Sequence, residues 1–288
     1  MPVVYEVTSD HKALYDKKTL KEWLSTAIDD LVAALDPVQV YLFGSLARDE
    51  DGPKSDLDLL VVFDQIRDDQ IMPLMAEAQV SITAPVPCDV LVTDLARYQF
   101  NEQRLWHIVH HIAKTGVLVY AREPRIPKEL YMSPRRPDEV RDAENFLERV
   151  RKDLAGADFF VNNEDTDNAC FHAQQAAEKA LKALLIIEGI EPSWTHNLVE
   201  LAEQLPGHYV EFFDKAGLAS LTPWSVTGRY PEDIPDIANK PTDYLVSVAR
   251  DTVSAVERLV DDSRAQRGRA VDKDRDRNIP ESGLDIGM

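Results

Sequence analysis

The sequence predicts an α/β domain built on a mixed sheet, followed by an all-α helical bundle. Three observations lead there. Short apolar runs alternate with amphipathic stretches up to residue 123. Pro124, Pro127, Pro134 and Pro137 then cluster among charged residues, the texture of a stiff linker. From Asp138 onward apolar residues recur at helical spacing, with no further strand-like run. The expected organisation is residues 1–123 as the α/β domain, 124–137 as linker and 138–262 as the helical domain. Residues 263–288 alternate Arg, Lys and Asp with almost no apolar content and are expected to be a disordered tail.

Taken in order, residues 17–35 carry Leu20, Trp23, Leu24, Ala27, Ile28, Leu31, Val32 and Leu35 on one stripe, an amphipathic helix that Asp36-Pro37 ends. Val38–Phe43 reads as a strand, 44–55 as a polar turn, and Leu57–Phe63 as a second strand. Residues 67–80 are expected to be helical, Val86–Val92 a third strand, 95–116 mostly helical, and Val117–Tyr120 a short closing strand. In the second domain, helices are expected over 138–162, 166–189, about 196–205, about 207–217 and 241–262, with a Pro-punctuated loop over 222–241. No internal repeat is present.

The bulk numbers exclude some classes. With 288 residues, 44% hydrophobic and 29% charged, the chain can bury a core. No apolar run approaches the roughly 18 residues of a membrane span, and the start, Met-Pro-Val-Val-Tyr-Glu-Val, has the features of no secretory signal. Cys88 and Cys170 lack metal-site spacing and read as reduced thiols of a cytoplasmic protein. The net charge is −19, and acidic residues outnumber basic ones in both domains. That balance argues against a broad nucleic-acid surface, since such surfaces work through cationic contacts to phosphate. It permits nucleotides that arrive with a divalent cation.

The chemistry is concentrated in Leu42-Phe43-Gly44-Ser45-Leu46-Ala47-Arg48, followed by Ser55-Asp56-Leu57-Asp58-Leu59. Asp56 and Asp58 are two apart on a strand, so their carboxylates leave the same face. Two such groups repel unless a hard cation with oxygen ligands neutralises them, which is the habit of Mg²⁺. Asp89, on the next strand, can add a third carboxylate, and three can hold two metal ions. A glycine directly after a strand lets backbone N–H groups turn towards phosphate, and a helix starting at Ser45 would point its N-terminus there. The Ser45 hydroxyl can add a hydrogen bond; Arg48 either pairs with phosphate or stays in solvent. The bland alternative is a Gly-Ser turn with two solvated strand-end aspartates.

These residues resemble the signature of the DNA polymerase β-type nucleotidyltransferase superfamily, particularly its minimal members, over roughly residues 20–122. The resemblance implies that Gly44 and Ser45 bind the nucleotide and that Asp56, Asp58 and Asp89 bind magnesium. A departure from the usual pattern is the acidic loop Asp49-Glu50-Asp51, where phosphates should approach.

In the second domain, Phe171-His172-Ala-Gln174-Gln175-Ala-Ala-Glu178-Lys179-Ala-Leu-Lys182, Thr195-His196-Asn197-Leu198 and Arg229-Tyr230-Pro231 resemble HEPN domains, over roughly 138–262. Such bundles accompany minimal nucleotidyltransferases, fused or as partners. Phe171, Ala176, Ala177, Ala180, Leu181, Leu184 and Leu185 read as the buried face of one helix. His172, Gln175, Lys179 and Lys182 line another face, which is either solvated or a phosphate-binding or dimer-forming surface. Many HEPN domains are ribonucleases using an Arg and a His four to six residues apart; no such pair lies between Asp138 and Asp262. Arg104 and His110 have the spacing but sit in the first domain among Trp106, Ile108, Val109 and Ile112, which suggest packing. Trp224, Arg229 and Tyr230 in the Pro-rich loop either contact the first domain or a second subunit or, as the favoured reading, are structural.

The function expected from sequence is transfer of a nucleoside monophosphate, AMP from ATP with two Mg²⁺ ions, to an acceptor hydroxyl. Asp89, or a metal-bound hydroxide, would help to deprotonate the nucleophile. The acceptor is either a small hydroxylated molecule such as an aminoglycoside, in a cleft between the domains, or a protein tyrosine in a toxin–antitoxin-like pair. In the second case the modification could fall on the chain itself, at Tyr209 or Tyr230. A homodimer through the HEPN-like domain is a further expectation. The competing classes are a nucleotide-sensing or assembly protein without turnover, and a HEPN ribonuclease, which the missing Arg/His pair disfavours.

Overall fold

The computed structural model describes residues 6–7, 11–123, 138–227 and 242–277, with only the backbone of 6–7, 226–227 and 266–277. The chain divides into two compact units, Met1–Pro137 and Asp138–Met288. The linker 124–137 and residues 278–288 of the tail lie outside the described residues.

In the first unit a two-residue pairing of β1 (Glu6–Val7) with β2 (Ala13–Leu14) precedes α1 (Leu20–Leu35). Helix α1 starts three residues later than the apolar pattern suggests because Asp16 and Lys17 adopt left-handed backbone in the turn before it. Its first turn is closed reciprocally: the Thr19 hydroxyl accepts from Glu22 N, and the Glu22 carboxylate accepts from Thr19 N at 2.7 Å.

Strands β3 (Gln39–Phe43), β4 (Leu57–Phe63), β5 (Cys88–Asp94) and β6 (Val117–Ala121) form one mixed sheet in the order β5-β4-β3-β6. The β4–β5 pairing is parallel; β3 runs antiparallel to both β4 and β6. Strand β5 begins at Cys88 rather than Val86, for Pro87 has no N–H to give a ladder and contributes only its carbonyl, which accepts from Leu57 N. The turn after β3 forms α2 (Gly44–Ala47), and a short 3₁₀ turn leads into α3 (Ile71–Ser81). The expected helix over 95–116 is two pieces, α4 (Leu95–Asn101) and α5 (Ile108–Thr115). The His107 ring accepts from Val109 N and restarts the second.

The sheet is covered on both faces. Leu57, Leu59, Val61 and Phe63 pack in one cluster with Leu20, Ala27 and Leu31 of α1 and Ala78 of α3. The alternate residues Leu60 and Val62 pack with Leu95, Tyr98, Val109 and Ile112 of α4 and α5. Strand β4 is therefore a central strand buried on both sides, which explains its nearly continuous apolar sequence.

The second unit contains α6 (Glu139–Asn162), α7 (Thr166–Ile187), α8 (Leu198–Glu203), α9 (Gly207–Val210), α10 (Lys215–Leu221), α11 (Trp224–Thr227) and α12 (Thr242–Arg277). Helix α7 is its axis. Ala169, Ala173, Ala176, Ala177, Ala180 and Ala183 are fully buried, so neighbouring helices approach closely, while Leu181, Leu184 and Leu185 fill the space between. The single helix expected over 207–217 is broken where the Asp214 carboxylate accepts from Ala216 N and starts α10. Helix α12 continues past 262 to Arg277, against the expected onset of disorder at 263. The added stretch holds five arginines and no proline, so nothing in it stops the helix despite its lack of apolar residues. Among the described residues no helix is long and apolar enough to cross a membrane.

Candidate active site

Strand register assembles the acidic cluster. Asp58 lies opposite Phe43 on β3 and beside Asp89 on parallel β5. Asp56 immediately precedes β4 and, two residues from Asp58, shares its side of the sheet. One carboxylate oxygen from each of Asp56, Asp58 and Asp89 lies within 4.8 Å of the others. Asp56 and Asp58 are half-buried and Asp89 is exposed, so the cluster opens to solvent.

Gly44 makes room for this arrangement. Its φ of +72° is left-handed, and a Cβ there would stand 1.7 Å from Asp58 Oδ2. The backbone of the turn and the carboxylate thus occupy space that any side chain at 44 would claim.

The cluster's electrostatics are uncompensated. Burial, and then the charges of Asp56 and Asp89, push the Asp58 carboxyl up to about 6, with Arg48 pulling weakly the other way. The thiol of Cys88 is pushed up to about 11, first by burial and then by the same three aspartates. Three hard oxygen donors with a deficit of positive charge among them suit a divalent cation of the Mg²⁺ type.

Other expected site residues take definite places. Ser45 is in α2, which is a single turn rather than a helix reaching to Arg48 and beyond; a dipole of that length adds little to anion binding. The Ser45 and Ser55 hydroxyls are hydrogen-bonded to each other at 3.0 Å, and Gly52 N donates to Ser55 Oγ at 2.9 Å. Arg48 follows α2, and its Nε donates to Glu50 at 2.7 Å. The acidic loop is largely partnered: Asp51, its side chain 3% exposed, pairs with Lys12 at 2.9 Å, while exposed Asp49 lies 3.8 Å from Lys21. Lys12 and the Ser45–Ser55 link escape sequence reasoning. The first is a contact across thirty-nine positions, and the second depends on how the turn closes.

In the helical unit the polar stripe of α7 is engaged internally. Lys179 donates to Asp153 of α6 at 2.6 Å, and His172 Nδ1 lies 3.4 Å from the same carboxylate with its ring stacked on Phe160. Lys182, His196 and Gln174 surround the carboxylate of Glu178. Arg104 lies over the Trp106 ring and His110 Nδ1 is 2.6 Å from the Glu102 carbonyl, local contacts of the packing kind. Trp224 is buried; Arg229 and Tyr230 lie outside the described residues. Tyr209 is also buried, and its hydroxyl donates to Glu188 at 3.1 Å.

Residues 27–125 match the family model described as Polymerase beta, Nucleotidyltransferase, and residues 143–265 match the HEPN domain. No curated protein matches the chain. Among solved structures, the chain is similar to ST0689, an archaeal HEPN homologue, at 25% identity over 43% of this chain and 96% of that one, with a TM-score of 0.29. It is also similar to a nucleotidyltransferase-like protein from Exiguobacterium sibiricum 255-15, at 11% identity over 84% of this chain and 74% of that one, TM-score 0.37. A third similarity is to spectinomycin adenyltransferase AAD(9) from Enterococcus faecialis, solved with ATP and spectinomycin, at 10% identity over 81% of this chain and 99% of that one, TM-score 0.40. None of these scores reaches 0.5, and the family assignment rests on the two domain matches.

Proposed function

Since this chain joins a nucleotidyltransferase domain of the polymerase β type to a HEPN domain, we propose that it transfers a nucleoside monophosphate, AMP from ATP, to an acceptor hydroxyl. The observation that carries this reading is the convergence of Asp56, Asp58 and Asp89 within 4.8 Å beside a left-handed Gly44. Asp56, Asp58 and Asp89 would hold Mg²⁺. When bound there, Mg²⁺ would offset their mutual repulsion and stabilise the charge that develops on the phosphate oxygens. The backbone after β3, with Ser45, orients the triphosphate, and Arg48 exchanges its Glu50 partner for phosphate. Asp89, the most exposed of the three, accepts the acceptor's proton at a carboxylate oxygen.

The test is pyrophosphate release from ATP and Mg²⁺ with candidate acceptors, comparing wild type with Asp56→Ala/Asp58→Ala. The double variant should be folded and inactive; release at the wild-type rate would refute the assignment. Binding of ATP that requires Mg²⁺, with no release against any acceptor, would instead support a nucleotide sensor.

The acceptor is a small hydroxylated molecule or a protein tyrosine. Tyr209 is a poor acceptor, because the residue is largely buried and its hydroxyl already donates to Glu188. Mass spectrometry after incubation with ATP and Mg²⁺ should therefore show no label at Tyr209, and a nucleotide found there would overturn this point. The exposed Phe159, Trp194 and Phe212 give the helical unit apolar surface for a homodimer.

A further inference from the structure

We infer that Gln79 is a positioning residue for Asp89: from α3 it clamps the peptide that sets this carboxylate beside the other two. The inference rests on the metal-binding reading of the cluster and names what orients its most exposed member. Asp58 stands on a central strand. Asp89 stands on β5, which has β4 on one side and, among the described residues, no strand on the other. The outward-facing backbone groups of such an edge strand receive nothing from the ladder.

The register identifies these groups. The Pro87 carbonyl accepts from Leu57 N at 2.9 Å and so faces β4. Successive carbonyls along a strand point to opposite sides, so that of Cys88 faces the open edge. There the Gln79 side-chain amide Nε2 donates to it at 2.8 Å. A carbonyl can only accept, so the end of the amide that meets it is the NH₂. Ala78, next to Gln79, is fully buried in one cluster with Cys88 and Val90, which seats α3 firmly on this strand. The Cys88 carbonyl and the Asp89 N–H belong to one planar peptide. Its plane is therefore held from the open edge, while the preceding carbonyl is held from β4. Two anchors on opposite sides of consecutive peptides resist twisting of the strand about its own axis. Such a twist is what repulsion among three like charges favours, because it swings the Asp89 carboxylate away from Asp56 and Asp58. The strand is otherwise weakly held here, since β5 begins at Cys88 and Pro87 has no N–H to contribute.

The experiment titrates the full chain with Mn²⁺, a paramagnetic ion that shares the carboxylate preference of Mg²⁺, and follows free ion by electron paramagnetic resonance. Amide exchange is measured on the metal-free proteins. Gln79→Met keeps the reach of the side chain and removes the donor. It should weaken Mn²⁺ binding about tenfold, the lower end for loss of an outer-shell partner, and speed exchange of the Asp89 amide. Gln79→His at pH 8 keeps a neutral N–H donor and should recover part of the affinity. In an Asp89→Ala background, Gln79→Met should change Mn²⁺ binding no further, because the glutamine acts through Asp89. Equal weakening with and without Asp89 would mark a glutamine that only supports the fold, and would overturn the inference. So would wild-type Mn²⁺ binding by Gln79→Met. Should that variant fail to fold, Gln79→Asn, whose amide falls one methylene short, is held to the same outcomes. A wild-type chain that binds no Mn²⁺ would instead remove the metal reading beneath.

Discussion

Replacing Gly44 by alanine imposes two separate costs that the structure lets one divide. The left-handed backbone, φ +72°, costs a residue with a Cβ about 1–2 kcal/mol. The new Cβ would also stand 1.7 Å from Asp58 Oδ2 and 2.6 Å from its Cγ, so the carboxylate must turn aside, which adds about 1 kcal/mol as an off-rotamer side chain. Gly189 supplies the control: its φ is +73° and a Cβ there meets nothing within 4 Å, so Gly189→Ala should carry only the backbone cost. Urea unfolding should place Gly44→Ala about 2–3 kcal/mol below wild type. Adding Asp58→Ala should recover about 1 kcal/mol of that, as expected when two residues compete for one space. The functional consequence is larger. A ligand at a hundred times its dissociation constant stabilises the fold by about 2.7 kcal/mol, and Gly44→Ala should lose this response to Mg²⁺ and nucleotide. Retention of the full ligand-induced stabilisation would show that room for Asp58 is not the reason a glycine stands at 44.

Two further outcomes follow from the charges. Asp58 is pushed up to about 6, so the folded chain takes up its proton more readily than the unfolded chain. The penalty from the ionised form is complete above about pH 6 and fades as pH falls towards the ordinary carboxyl value. The metal-free protein should therefore gain stability from this group on acidification between pH 7 and 5. Asp58→Asn should flatten that trend and, after allowance for solvent screening, stabilise the metal-free protein at pH 7.5 by about 1 kcal/mol. Thermal unfolding against pH in EDTA reads both, and a destabilised Asn variant would contradict the repulsion argument. At Glu178, burial pushes the carboxyl up but Lys182, Gln174 and His196 outweigh it, so the group sits below its usual range. Its contribution should persist above the ordinary Glu value and vanish as pH drops below it. Glu178→Ala should cost the helical unit about 2–3 kcal/mol, less than a fully buried pair because Lys182 and His196 can rehydrate; hydrogen exchange of the α7 amides measures it.

Much of the first unit is readable in its chain because its signals are local. The period-two placement of Asp56 and Asp58 among Leu57, Leu59 and Val61 gives both a strand and a polar face, and the glycine marks a turn. What the chain does not display is whatever depends on register or on distant partners. The reason for glycine at 44 appears only when β3 lies against β4 and brings Asp58 to it. The acidic loop looks hostile to phosphate until Lys12 is seen against Asp51. In the helical unit, spacing places His172 and Lys179 on one face, but it cannot say that α6 brings Asp153 up to them. Breaks within runs of helix formers, at 102–107 and 211–214, are set by single capping side chains that weigh little in a periodicity argument.

The middle strand carries an implication for how this protein can change. Asp58 sits two positions from Leu60 on a strand packed from both sides, so any slip that retunes the carboxylates also unseats the hydrophobic interior. Variation is then cheap only along the rim: the segment from Arg48 to Ser55 and the exposed end of β5. A family built on this scaffold would diversify there and keep its acidic centre nearly invariant.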